Sequence, residues 1–234
     1  AGDPGLSMTK PIALALEGAG VDIIELGIPF SDPIADGPTI QAASHRALAG
    51  GASLKNIFSM MADLRKATEI PVAFMTYYNP VLKYGVEKFV KSCKRNGVDG
   101  VIIPDLPYEE AKDLIRYAKR EKVATVFLAA PTSTGKRIKD IVKNSTGFIY
   151  YVSLTGVTGA RRSLPPEVAA TVRTITLMTG KPVAVGFGIS APAQAHSIAR
   201  MADGVIVGSA IVRMIADNRR GGAKYITRLC KPRR

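Results

Sequence analysis

The sequence predicts an α/β protein, a single (β/α)8 barrel domain over residues 1–234. Three observations lead to this fold. Short apolar segments typical of buried strands alternate with amphipathic helical segments, which indicates a parallel sheet covered by helices. No linker, repeat or change in composition divides the chain, and its length suits one barrel of this kind. A hydrophobic content of 47% supports one large core.

The elements follow from hydrophobic periodicity along the chain. Strands are predicted at 22–26, 72–76, 100–103, 125–129, 148–152, 183–185 and 204–207. Helices that cover them are predicted at 54–68, 86–96, 108–121, 165–179 and 191–199. The prediction therefore contains seven strands, one fewer than the eight that close such a barrel.

The beginning of the chain accounts for the difference. It opens with Ala-Gly-Asp-Pro-Gly, which is loop sequence, and a helix is predicted next, with Ser7 or Thr9 as its N-cap and Pro11 in its first turn. Because a βα unit begins with its strand and none precedes this loop, we expect an N-terminally truncated barrel that lacks its first strand. Such a barrel has two unpaired strand edges.

The net charge of +13 comes from basic residues that mostly follow helical spacing, as on solvated helix faces. Aromatic residues do not interleave with them, so no nucleic-acid partner is expected, although an anionic, phosphorylated substrate would be attracted. The sequence shows no apolar run of about 18 residues and no signal peptide, which argues against a membrane partner. Cys93 and Cys230 fit neither a metal site nor a disulfide framework, which favours reduced thiols in the cytoplasm.

The most informative segment is 25–38, with the sequence Glu-Leu-Gly-Ile-Pro-Phe-Ser-Asp-Pro-Ile-Ala-Asp-Gly-Pro. Glu25 stands where the first predicted strand ends, and Asp36 follows on a proline-rich loop. A carboxylate in a buried strand is costly unless it has a function, and two carboxylates in different environments can serve as general acid and general base. A structural ion pair of Glu25 with an arginine is the alternative. Asp32 is equally well explained as a turn residue before Pro33.

The residue types at the other strand ends limit the chemistry. No lysine stands there, which argues against Schiff-base catalysis. The two histidines, His45 and His196, lie within helical segments as surface or packing residues, so no metal site and no Ser-His-Asp triad are expected. Carboxylates and a tyrosine are left to transfer protons. Asp105 is better explained as a loop-structuring residue, and Tyr150 as a core tyrosine, by pattern alone.

The last three strand-to-helix junctions are rich in glycine and predict an anion site. Glycine lets backbone N–H groups approach a ligand closely, and the following helix N-terminus adds a favourable dipole. In a (β/α)8 barrel a phosphate usually binds at this place. The predicted donors are Gly159, Gly188, Gly208 and Ser209. The segment 153–164 suits either a lid over a phosphorylated substrate or an ordinary loop.

Five segments together resemble the tryptophan synthase α subunit family. The longest is 25–41, which extends the segment above with Thr-Ile-Gln. The others are Gly-Asp-Pro-Gly at 2–5, Leu-Thr-Gly-Val-Thr-Gly at 154–159, Gly-Phe-Gly-Ile-Ser at 186–190 and Gly-Ser-Ala-Ile-Val at 208–212, in the family's order. The resemblance implies a TIM-barrel lyase that splits indole-3-glycerol phosphate into indole and glyceraldehyde 3-phosphate without a cofactor or metal.

The resemblance also implies roles for individual residues. Glu25 would be the principal acid and base, Asp36 would hydrogen-bond the indole N–H, and Tyr150 would support Glu25. Thr158 would orient Asp36 when the lid closes. The predicted phosphate donors are the four residues named above, and the wall of the indole pocket would come from Met75, Ile102 and Phe187.

The family works as an αββα complex in which indole passes to a pyridoxal phosphate-dependent β subunit. The resemblance places the β-subunit contact at Asp32, Pro33, Asn79 and Pro107, and leaves pyridoxal phosphate to the partner. Three alternatives stay open from the sequence. They are a stand-alone indole-3-glycerol phosphate lyase, a catalytically impaired fragment that only docks on the β subunit, and a basic nucleic-acid binder.

Overall fold

The computed structural model describes residues 1–152, 166–186, 188–189 and 191–218, and within these ranges eight strands alternate with ten helices. The strands are β1 Ile24–Gly27, β2 Val72–Met75, β3 Gly100–Ile102, β4 Ala124–Val126, β5 Leu128–Ala129, β6 Ile149–Val152, β7 Val183–Gly186 and β8 Gly204–Ile206. The helices are α1 Leu6–Gly18, α2 Pro38–Ala49, α3 Leu54–Leu64, α4 Tyr78–Tyr84, α5 Val86–Arg95, α6 Lys112–Glu121, α7 Gly135–Asn144, α8 Pro166–Met178, α9 Pro192–Ala199 and α10 Ser209–Asp217.

The strands pair in parallel and in chain order, as the alternation of strands and helices predicts. All seven predicted strands are present, but the one at 125–129 is divided at Phe127 into β4 and β5. Phe127 still links the two halves of the wall, because its carbonyl accepts a hydrogen bond of 3.3 Å from the Tyr150 N–H. In the described ranges β1 and β8 each pair on one side only, as predicted.

The alternation of side chains along β1 directs its carboxylate into the barrel. Ile24 and Leu26 pack outward into the core between the sheet and the helices. Glu25 is opposite Ala73 in the register of β1 and β2, and residues in register share a face of the sheet. Ala73 belongs to a separate cluster inside the barrel with Ile102, Val126 and Tyr150. Glu25 therefore faces the interior.

The first helix begins earlier than predicted. It starts at Leu6 after an extended Gly5, without a side-chain N-cap, so the prediction of Ser7 or Thr9 as the cap was wrong. The Thr9 hydroxyl accepts a hydrogen bond of 3.0 Å from the Gly2 N–H instead, because the opening loop folds back over the helix. Pro11 consequently lies in the second turn.

The opening loop is held against the rest of the barrel by one strong ion pair. The Arg46 guanidinium of α2 donates hydrogen bonds of 2.9 and 2.7 Å to the two carboxylate oxygens of Asp3, whose side chain is only 9% exposed. Gly2 has a φ of +88° and lies so close to Ala47 and Ala52 that a Cβ would contact their methyl groups at 3.1 and 2.8 Å. Small residues therefore allow this loop to pack beside α2.

The structure shows the positions of the two histidines and of Cys93, for which the sequence predicts no catalytic or metal-binding role. His45 on α2 and His196 on α9 are exposed on the surface. Cys93 is fully buried in α5, where burial raises the pKa of its thiol, and Cys230 lies outside the described residues. Among the helices of the described ranges, none combines the length and the apolar character needed to cross a membrane.

Two aspartates accept hydrogen bonds from the first N–H group of a strand, and both lie at the N-terminal ends of the strands. The Asp99 carboxylate accepts a hydrogen bond of 2.8 Å from the Val72 N–H, and the Asp203 carboxylate accepts one of 2.9 Å from the Val183 N–H. Asp99 also pairs with Arg65, whose guanidinium donates to the Gly97 and Ile70 carbonyls. This end of the barrel therefore contributes to stability.

We expect Asp99→Ala to lower the free energy of unfolding by about 1–2 kcal/mol, because the buried Val72 N–H loses its acceptor. Urea unfolding would measure the change. Asp113→Ala is the matched control: it removes an exposed ion pair with Arg116 and should cost less than about 0.5 kcal/mol. Equal losses in the two variants would contradict the structural role of Asp99.

Candidate active site

Glu25 is the second of the four residues of β1 and faces the inside of the barrel. Its side chain retains some solvent access but lies among the inner residues of the barrel. Desolvation by burial and, to a smaller extent, the nearby negative charge of Asp36 together raise the pKa of Glu25 to about 7. A carboxyl group with this pKa populates both its acid and its base form near neutral pH, which is what a proton-transfer catalyst needs. Within the described residues no arginine pairs with Glu25, and burial and Asp36 dominate its environment.

Asp36 comes from the loop between β1 and α2. Two turns shape this loop: the Ile34 N–H donates to the Asp32 carbonyl at 2.9 Å, and the Asp36 N–H donates to the Pro33 carbonyl at 3.0 Å. These turns bring Asp36 back over the mouth of the barrel, within electrostatic range of Glu25. Desolvation raises the pKa of Asp36 as well, but a hydrogen bond from Tyr77 opposes that rise.

Tyr77 is the functional-site residue that the sequence analysis did not select. It lies two residues after the end of β2 and is 5% exposed, with its ring centroid 5.3 Å from that of Phe30. Its hydroxyl donates a hydrogen bond of 3.0 Å to Asp36 Oδ2 and accepts one of 2.9 Å from the Ala35 N–H. Its position at a strand end was the available indication, but its contact with a loop more than forty residues earlier depends on the tertiary fold.

Tyr150 lies on β6 and faces the same interior. It is 8% exposed, and burial, followed by the charges of Glu25 and Asp36, raises the pKa of its phenol well above the usual range. Gly186 on β7 provides the space for it, because a Cβ there would lie 2.9 Å from Tyr150 Cε1 and 2.9 Å from its hydroxyl oxygen. The structure thus brings the three predicted catalytic residues near one another, and Tyr150 is buried in the inner cluster as the pattern predicts.

The apolar residues predicted for a pocket wall are also in place. Met75 and Ile102 are opposite each other in the register of β2 and β3 and belong to the inner cluster that contains Tyr150. Ile102 is fully buried, whereas Met75 is half-buried. Phe187 lies outside the described residues, as do Thr158 and Gly159.

The predicted anion site corresponds to exposed backbone after β7 and β8. Gly208 is the N-cap of α10 and Ser209 its first residue, and both are exposed. Gly188 is exposed with a φ of +35°. Unpaired N–H groups at the beginning of α10 can bind a phosphate there through the backbone and the helix dipole.

The four residues predicted to contact a partner lie around the same rim. Asp32 and Asn79 are exposed, Pro107 is half-buried, and Pro33 is buried within the chain. Asp105, which precedes Pro107, accepts a hydrogen bond of 2.9 Å from the Tyr78 N–H at the beginning of α4. This confirms its prediction as a loop-structuring residue. In the described ranges, no group of three or more His, Cys, Asp or Glu side chains is arranged to hold a metal ion.

Comparison with known proteins gives consistent results over nearly the whole chain. A family model described as "Tryptophan synthase alpha chain" matches residues 1–233. The tryptophan synthase alpha chain of Caldanaerobacter subterraneus subsp. tengcongensis is 51% identical over 216 residues, which cover 92% of this chain and 82% of that protein. The alpha chain of Geotalea daltonii is 53% identical over 213 residues, which cover 91% of this chain and 81% of that protein.

Solved structures show the same similarity. A chain from the tryptophan synthase a2b2 complex of Pyrococcus furiosus superposes with a TM-score of 0.91 and 41% identity, covering 98% of this chain and 93% of that chain. The tryptophan synthase A-subunit of the same organism superposes with a TM-score of 0.89 and 40% identity, and the match again covers 98% of this chain and 93% of that chain. The fold of the described residues is therefore that of the (β/α)8 barrel that the sequence predicts.

We expect Gly186→Ala to destabilise the protein by about 1–3 kcal/mol, because the added methyl group overlaps the Tyr150 ring and forces it to move. Thermal or urea unfolding would measure the loss. Gly180→Ala is the control, since nothing lies within 4 Å of a Cβ at that position. Equal stability of Gly186→Ala and Gly180→Ala would show that Tyr150 does not need this space.

The raised pKa of Glu25 predicts how stability depends on pH. Between the ordinary value of 4.5 and the folded value of about 7, the folded protein binds this proton more tightly than the unfolded chain does. The free energy of unfolding should therefore fall as pH rises through this window. Glu25→Gln should remove that fall and make the protein more stable at about pH 8, by about 2 kcal/mol.

Urea unfolding at several pH values would test this, with the exposed Glu110→Gln as the control. The control should retain the pH dependence of the original protein. If Glu25→Gln showed the same pH dependence as that control, Glu25 would titrate at an ordinary pKa.

Proposed function

The chain belongs to the tryptophan synthase alpha chain family, and we propose that it cleaves indole-3-glycerol phosphate to indole and glyceraldehyde 3-phosphate. The reaction is that of a lyase in tryptophan biosynthesis. The observation that carries the proposal for the site is the Glu25 carboxyl group, held inside the barrel with a pKa of about 7 and close to Asp36. A group with that pKa can both give and take a proton in one turnover.

Glu25 has two tasks in the proposed reaction. It protonates C3 of the indole ring, the carbon that carries the glycerol chain, and the ring becomes positively charged. It then takes the proton of the side-chain hydroxyl, so that this oxygen becomes the aldehyde carbonyl and the electron pair of the C–C bond returns to the ring. The net change is the transfer of one proton from the hydroxyl to C3, and Glu25 ends as it began.

Asp36 stabilises the charge that develops on the ring. Its carboxylate accepts a hydrogen bond from the indole N–H, where the positive charge is partly located, and a fixed negative group in a site of low polarity is effective there. Tyr150 supports Glu25 from β6. Thr158 orients Asp36 when the lid at 153–164 closes over the substrate.

The rest of the substrate is bound by the barrel rim and interior. Its phosphate binds the backbone of Gly159, Gly188, Gly208 and Ser209, and the last two are supported by their position at the beginning of α10. Its indole ring packs against Met75, Ile102 and Phe187. This route uses no cofactor or metal in this chain. A cytoplasmic location is part of the proposal.

The proposed partner is a tryptophan synthase β subunit, with which the chain forms an αββα heterotetramer. The similar Pyrococcus furiosus chain comes from an a2b2 complex. The proposed contacts are Asp32, Pro33, Asn79 and Pro107, and the exposure of Asp32 and Asn79 supports them. The pyridoxal phosphate of the complex belongs to the β subunit.

Indole release from indole-3-glycerol phosphate, with and without an added β subunit, tests the proposed function. Stimulation by the β subunit is the expected result. Fast release that the β subunit leaves unchanged would support a stand-alone lyase instead. No release under either condition would overturn the proposed activity and leave a chain that only docks.

Substitution of the two carboxylates tests the proposed roles. We expect Glu25→Gln and Asp36→Asn each to lower indole release by a factor of about 10² or more, because one removes the proton carrier and the other the charge opposite the ring. Both variants should remain folded by circular dichroism. Glu110→Gln, an exposed carboxylate, is the control and should retain full activity. Normal turnover in Glu25→Gln would remove Glu25 from the mechanism.

A further inference from the structure

When Asp36 is ionised, the hydrogen bonds at Tyr77 have only one possible direction. A tyrosine hydroxyl carries one hydrogen. The Ala35 N–H can only donate, and it points at the hydroxyl oxygen at 2.9 Å. The single hydroxyl hydrogen is therefore available for Asp36 Oδ2 at 3.0 Å. In the described part of the chain, this bond occupies one carboxylate oxygen of Asp36 and leaves Oδ1 for a ligand.

Tyr77 is attached to the rigid part of the barrel, whereas Asp36 is on a loop. The residue before Tyr77, Thr76, donates its N–H to the Ile102 carbonyl of β3 at 3.0 Å. The residue after it, Tyr78, donates its N–H to Asp105. The Tyr77 ring is buried against Phe30. The backbone of Tyr77 is thus held by β3 and Asp105, and its ring also packs against Phe30 at the start of the loop that carries Asp36.

We propose that Tyr77 is a positioning residue, whose hydroxyl holds Asp36 Oδ2 so that Oδ1 points to the N–H of an indole-type substrate. This inference rests on the proposed function and adds to it a residue that acts through Asp36. Tyr77 does not touch the substrate in this scheme. Its contribution is to fix the orientation of a carboxylate that comes from a loop.

The hydrogen bond from Tyr77 to Asp36 favours different protonation states for Asp36 and Glu25. Within the described residues, the titratable groups that interact with Asp36 are Glu25 from β1, Tyr77 after β2 and Tyr150 from β6, and Asp105 interacts with Tyr77. A donor from Tyr77 favours the charged form of Asp36, and that charge in turn raises the pKa of Glu25. The Tyr77 hydrogen bond therefore favours the arrangement in which the proton is on Glu25 and the negative charge on Asp36.

Tyr77→Phe tests the inference because it removes the hydroxyl and keeps the buried ring. The measurement is kcat/KM for indole release as a function of pH, with the full chain and excess β subunit. In the plot of kcat/KM against pH, the fall at low pH reports protonation of Asp36. Without the Tyr77 hydroxyl the pKa of Asp36 rises, so this low-pH limb should move to higher pH by about one unit. The loss of activity relative to the original protein should then grow as pH falls through this limb and approach about tenfold below it.

Two controls separate positioning from a general loss of structure. Tyr84→Phe also removes a tyrosine hydroxyl that has a hydrogen-bond partner, Ser92, but outside the site, and its pH profile should be unchanged. In an Asp36→Asn background, adding Tyr77→Phe should change the residual activity by less than about twofold, because the two residues act as a unit.

Several results would overturn the inference. An unchanged low-pH limb in Tyr77→Phe would overturn it, even if activity fell equally at every pH, because an equal fall at every pH indicates only a looser loop. Additive effects of Tyr77→Phe and Asp36→Asn would do so as well. If Tyr77→Phe did not fold, carboxyl NMR titration of the original protein would decide: Asp36 should ionise at lower pH than Glu25, and the reverse order would overturn the inference.

The two proposals fail in different ways. If the original chain released no indole, with or without the β subunit, the proposed function would fail before any variant was compared. If it released indole and Tyr77→Phe kept the original pH profile, only the role of Tyr77 would fail.

Discussion

The burial of one carboxyl group on the inner face of a parallel barrel is the constraint on which this site depends. Glu25 faces inward because Ile24 and Leu26 on either side of it must face the helices. The interior then removes water from the carboxyl group and raises its pKa to about 7. The negative charge of Asp36 contributes to that value, so the carboxyl group populates both its acid and its base form near neutral pH.

Space inside the barrel is as important as charge. Small residues, such as Ala73 opposite Glu25 and Gly186 beside Tyr150, keep the interior open enough for the large ring and the carboxyl group to share it. An interior filled with larger side chains would be more stable but would leave no room for a substrate. The N-terminal ends of the strands show the opposite arrangement, because Asp99 and Asp203 close backbone hydrogen bonds there. The aspartates that stabilise the barrel therefore lie at the end of the strands opposite to the candidate site.

Local patterns predicted the strands, most of the helices and the inward carboxylate. The errors lie where a residue's partner is distant in sequence. Thr9 looked like a helix cap, yet its hydroxyl binds the opening loop. The strand at 125–129 looked continuous, yet it is interrupted at Phe127, whose N–H donates to the Ser145 hydroxyl. Asp105 was predicted correctly as a structural residue, because a proline on each side of the Asp-Leu pair already indicates a constrained loop.

The sequence by itself determined the fold class and the strand order, because period-two burial and strand-to-helix alternation can be recognised locally along the chain. It also selected the carboxylates Glu25 and Asp36 as candidates for proton transfer, whereas Tyr150 became a candidate only through the family resemblance. The segment at 25–41 also determined the family. Only the tertiary structure decided which tyrosine holds Asp36, since Tyr77 and Asp36 are separated by 41 residues and meet because β1 and β2 are neighbours. The pKa of Glu25 was likewise decided there, because it depends on how much water the folded barrel excludes.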